Sequence, residues 1–144
     1  DPATIDWSKY TKRTFPFTLR QKPGPDNPLG RVKFMFPNRF DVYLHDTPAR
    51  DLFNHPARAF SSGCIRLERP LDLAVRLLRG TPGWDRERIE ALIASQRNMR
   101  VDLAEPVPIH LTYSTAWSGE GGTINFRPDI YQRDKRLHEA LFGK

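Results

Sequence analysis

The chain has 144 residues, 38% hydrophobic and 28% charged, which suits one globular domain. No stretch of about 18 apolar residues occurs, which excludes a membrane-spanning helix, and Asp1 to Asp6 lack the pattern of a secretory signal. Lys and Arg number 23 against 17 Asp and Glu; the net charge of +6 favours anionic partners, but its even spread without interleaved aromatics argues against nucleic acid.

The opening residues read as the interior of a longer protein, and no internal repeat occurs. Residues 1–30 are rich in proline and polar groups and read as a loop that could act as a lid, with Tyr10, Phe15 and Phe17 available to pack. Arg31 to Phe36 alternates apolar and polar residues, which predicts a strand. Pro37-Asn38 makes a turn, and Arg39 to His45 alternates again as a second strand ended by Asp46-Thr47-Pro48. Asp51 to Phe53 suits one helical turn, and Asn54 to Phe60 is a loop leading to Cys64. Pro70 fits a first helical turn, with Leu71, Ala74, Val75 and Leu78 on one face and Gly80 as the stop. A second helix is predicted over Trp84–Gln96 through Ile89, Leu92 and Ile93. Val107 to Tyr113 reads as a strand that Glu120-Gly121-Gly122 turns into Thr123–Phe126, and Asp134 to Phe142 as a short final helix. The fold class is mixed α+β, mainly β, with helices flanking a sheet. Such a sheet wants further strands ahead of Arg31, or a covering segment in their place.

Cys64 is the single cysteine, and it sits in Ser61-Ser62-Gly63-Cys64-Ile65-Arg66. One cysteine forms no intrachain disulfide, so the count does not choose a redox compartment. A free thiol is mostly protonated at neutral pH and needs a base to become a nucleophile. His45, upstream in Tyr43-Leu44-His45-Asp46-Thr47, is the candidate base. Strand alternation puts Tyr43 and His45 on one face, and an extended segment would do the same for Cys64 and Arg66. Each residue also has a plainer reading: a buried apolar cysteine, a strand-end histidine bonded to backbone, a packing tyrosine, and an Arg66–Glu68 ion pair. His55, His110 and His138 have no ligand spacing with one another or with Cys64, so no metal or cofactor is expected.

His45-Asp46-Thr47 together with Ser61-Ser62-Gly63-Cys64-Ile65-Arg66 resembles the L,D-transpeptidase catalytic domain, or YkuD domain. Ser62, in place of the usual histidine, is similar to the large YcbB-like branch, as are Phe34 to Asn38, Thr47-Pro48, Arg58 to Ser61 and the ending from Pro106 to Asp129. The resemblance implies a YkuD-like β-sandwich with flanking helices, of which residues 1–144 would form a single domain lacking its N-terminal strands. It implies that Cys64 attacks the peptidoglycan stem peptide at the third residue, usually diaminopimelate. D-alanine would leave, and the acyl group would pass to an amine to form a 3→3 cross-link. His45 would be base and then acid, and the main-chain carbonyl of Asp46 would fix its tautomer; the Asp46 carboxylate could do so instead, or serve only the turn. The N–H groups of Ser62, Gly63 and Cys64 would form an oxyanion hole, where each donor is worth about 3–4 kcal/mol. Arg66, Tyr43 and Arg58 would contact substrate. Carbapenems would be covalent inhibitors, the location the periplasm, and the full-length parent membrane-anchored. The alternatives are a sortase-like cysteine acyltransferase and a non-catalytic peptidoglycan-binding domain.

Overall fold

A computed structural model describes residues 1–143. They divide into two compact units, Asp1–Ala104 and the segment from Glu105 onward. The architecture is mixed α+β, with three α-helices and two small sheets.

In the first unit the sheet is short. Strand β1 (Lys33–Phe34) pairs antiparallel with β2 (Leu44–His45), and β2 pairs parallel with β3 (Ile65–Arg66). The two predicted strands thus shrink to two residues each. Asn38 explains this for the second. Its side-chain amide donates to the carbonyls of Phe36 and Val42, and its oxygen accepts from the N–H groups of Phe40 and Val42. These local bonds replace ladder bonds and hold residues 38–42 in a loop, with Asp41 at φ 52°. The return from β2 to β3 includes a 3-10 turn at Arg50–Asn54, as a parallel pair needs a long crossover.

Helix α1 (Pro70–Leu77) starts on Pro70, whose missing N–H costs nothing in a first turn. Helix α2 (Arg86–Ala94) is shorter than predicted because Asp85 caps it, accepting from the Arg88 N–H at 2.8 Å and leaving Trp84 outside. Ala74, Leu78 and Ile89 form the buried core, and Val32 and Phe34 pack against it from the β1 side. Residues 1–30 hold two 3-10 turns, each capped by an aspartate, and a cluster in which Phe15 meets Trp7, Tyr10 and Phe17.

In the second unit the hairpin joins β4 (Ala116–Ser118) and β5 (Ile124–Phe126), turning through Gly121 and Gly122 at positive φ. The expected first strand, Val107–Tyr113, is not one. Alternation supplies a face but no partner, and Pro108 removes an N–H donor from the segment. Helix α3 (Asp134–Phe142) lies where the sequence placed it. The two units are joined at Ala104–Glu105, in the stretch between α2 and β4.

Candidate active site

Register decides which side chains meet. Lys33 pairs with His45 across β1–β2, and His45 with Arg66 across β2–β3, so these three share one sheet face. Phe34, Leu44 and Ile65 take the other face, where Phe34 meets the helical core. Two residues earlier on each strand, Tyr43 and Cys64 continue the first face. The Tyr43 carbonyl accepts from the Ile65 N–H at 3.0 Å, and the His45 carbonyl from the Leu67 N–H at 2.8 Å. The fold therefore brings together Tyr43, His45, Cys64 and Arg66.

Tyr43 lies between the other groups. Its ring centroid is 6.2 Å from that of His45, and its hydroxyl is near enough to Cys64 to feel the thiol's charge. Its pKa is raised, first by desolvation and then by the neighbouring thiol. The Lys33 ammonium sits 3.6 Å above the Tyr43 ring, a cation–π contact. Sequence reasoning passed over Lys33, although its alternate position in Arg31-Val32-Lys33-Phe34 was the available signal.

His45, Asp46 and Thr47 are consecutive polar residues at 5%, 2% and 3% exposure, an unusual run to bury. The His45 Nδ1 is hydrogen-bonded to the main-chain carbonyl of Asp46. A carbonyl only accepts, so in the neutral imidazole Nδ1 carries the proton and Nε2 has the lone pair. The Asp46 carboxylate turns elsewhere: Oδ2 accepts from the Arg31 N–H at 2.9 Å and Arg31 Nε at 3.0 Å, and Oδ1 from Arg50 Nη2 at 2.8 Å. Burial pushes its pKa up, but the Arg31 N–H and guanidinium, the Thr47 N–H and the Arg50 charge together outweigh that and hold it below the usual carboxylate range.

Cys64 is half-buried and free. Gly63 before it has φ 157°, and a Cβ there would come to 3.2 Å from the Val42 side chain. The Gly63 N–H donates to Ser61 Oγ at 3.3 Å, while those of Ser62 and Cys64 have no protein acceptor among the described residues. Arg66 Nε is buried without a partner, and no Arg66–Glu68 ion pair forms among the described residues. Arg58 is exposed and donates through Nε to the His55 carbonyl at 2.8 Å, a bond within its own loop. A hollow of about 340 Å³ at the helices, lined by Val75, Arg79, Thr81, Trp84, Asp85 and Arg86, contains neither Cys64 nor His45.

The family model for the L,D-transpeptidase catalytic domain, YkuD, matches residues 2–84, which contain every residue of this face. A Haemophilus influenzae protein named "Putative L,D-transpeptidase" is 41% identical over 140 residues, 97% of this chain. The match spans 28% of that relative's length. With more than half its residues matched by the domain model, the chain belongs to the YkuD family of L,D-transpeptidase catalytic domains.

Proposed function

We propose that this chain carries the active centre of a cysteine-dependent peptidoglycan L,D-transpeptidase. The observation that supports it is the shared face of β2 and β3, where Cys64 and His45 stand with the His45 Nδ1 proton held by the Asp46 carbonyl. That bond leaves Nε2 free to accept a proton from a thiol.

In this reading His45 Nε2 takes the Cys64 proton, and the thiolate attacks the carbonyl carbon of the third stem residue, usually diaminopimelate. Negative charge gathers on the carbonyl oxygen, facing the N–H groups of Ser62 and Cys64; the Gly63 N–H joins them once it leaves Ser61 Oγ. The C–N bond then breaks, His45 returns the proton to the departing D-alanine amine, and a thioester remains. An acceptor amine attacks the thioester, losing a proton to His45, which passes it back to the departing sulfur. The product is a 3→3 cross-link, and water in place of the amine gives hydrolysis. Arg66, on the same face as His45, supplies a guanidinium for a stem carboxylate. Tyr43 and Lys33 line the same approach, and Arg58, held by its Nε on His55, keeps its terminal nitrogens available to substrate. Acting on peptidoglycan, the active centre would work in the periplasm.

Carbapenem labelling tests the reading. The β-lactam ring opens on the thiol with no leaving group, so intact mass rises by one whole inhibitor. Cys64→Ala abolishes the adduct and cross-linking of stem peptides, and His45→Ala reduces both, with the fold retained. Turnover persisting in Cys64→Ala refutes the mechanism. A folded protein that binds stem peptides yet takes up no inhibitor is instead a peptidoglycan-binding module.

A further inference from the structure

We propose that the Asp46 side chain and Arg50 are positioning residues: the clamped carboxylate holds the Asp46 carbonyl against His45 Nδ1, and Arg50 locks that setting to the strand carrying Cys64. The inference rests on the pairing of His45 with Cys64 proposed above.

Every polar group of Asp46 is engaged. Its N–H donates to the Val32 carbonyl at 2.8 Å, its carbonyl accepts from His45, and its carboxylate accepts from Arg31 and Arg50. Asp46 is therefore held on both sides of its carbonyl, through its own N–H on Val32 and through its carboxylate on the two arginines, which leaves the carbonyl little freedom to swing away from the imidazole.

Arg50 extends the constraint. Its Nη2 holds Asp46 Oδ1, while Nη1 donates to the carbonyls of Glu68 at 2.7 Å and Leu67 at 3.2 Å. Those carbonyls follow β3 directly, one and two residues beyond Arg66. One planar guanidinium thus fastens the end of the histidine strand to the end of the cysteine strand. A lysine carries the charge but lacks the fixed fork that serves acceptors on two elements at once.

The test uses the full chain with Arg50→Met, Arg50→Lys and, as control, Arg100→Met. Arg100 is exposed and pairs with Asp102 away from the site. Three quantities are measured: the carbapenem acylation rate of Cys64, the His45 tautomer from long-range nitrogen–proton NMR correlations, and the unfolding midpoint. Arg50→Met is expected to lose Nδ1–H tautomer and to slow acylation by about tenfold to a hundredfold. Arg50→Lys falls between it and wild type, and Arg100→Met changes neither. A lower midpoint with wild-type tautomer and rate would show a purely structural ion pair and overturn the proposal. If Arg50→Met does not fold, Arg50→Lys is judged by the same two criteria. If wild-type Cys64 takes up no carbapenem, the enzymatic reading fails, while the tautomer comparison still decides whether the clamp orients His45.

Discussion

Gly30 is the residue against which the buried Asp46 is packed. Its φ is +62°, and a Cβ there would stand 2.5 Å from the Asp46 Cβ and Cγ. Alanine at this position meets both a left-handed backbone and a side chain with nowhere to go, since Asp46 is only 2% exposed. Gly30→Ala is expected to cost at least about 2 kcal/mol in urea unfolding, and to slow Cys64 acylation by disturbing the carbonyl beside His45. An unchanged midpoint would mean that Asp46 is not seated as described. Of this arrangement the sequence made His45, Cys64 and the Asp46 carbonyl legible, through a motif. It did not reveal the carboxylate's partners: Arg31 is fifteen residues away, and Arg50 is brought round by a turn rather than by a helix face.

The helices were the most legible elements because their signals are local. Pro70 opens α1 and the apolar spacing needs only one turn of context, although the Asp85 cap that starts α2 went unread. Their contributions differ in kind. Leu78→Ala opens the core of Ala74, Leu78 and Ile89 and should cost about 2–5 kcal/mol. Asp85→Ala removes one cap and should cost about 1 kcal/mol. Comparative urea unfolding checks the ranking; equal losses would show that the α1–α2 contact is not the principal core of the first unit. Strands were less legible, because a strand exists only where another backbone accepts its hydrogen bonds. Arg39 to Val42 alternates properly, yet Asn38 captures its backbone groups. Val107 to Tyr113 alternates too, but pairing begins at Ala116.

At the scale of the molecule, acid reads out the electrostatics. Asp46 and, in the second unit, Asp129 both have pKa values below the ordinary carboxylate range, Asp129 chiefly through the Tyr113 hydroxyl at 2.6 Å. A lowered folded-state pKa gives stability that is complete above the unfolded value of about 3.9 and is lost as pH falls through the folded one. This contribution to thermal stability should therefore fade as pH falls below about 4. Asp46→Asn should flatten that decline while lowering stability at neutral pH, because Arg31 and Arg50 lose their counter-charge; a decline of unchanged size would exclude Asp46 as its source. The sequence by itself determined the family, the helices and the identities of the thiol and imidazole, since these rest on local spacing and on a specific motif. Only the tertiary structure decided that Lys33, Tyr43, His45, Cys64 and Arg66 share a face, and that one buried carboxylate binds two arginines behind it. Strand register and long-range ion pairs join residues far apart in the chain, and no local pattern specifies which backbone or charge will arrive opposite another.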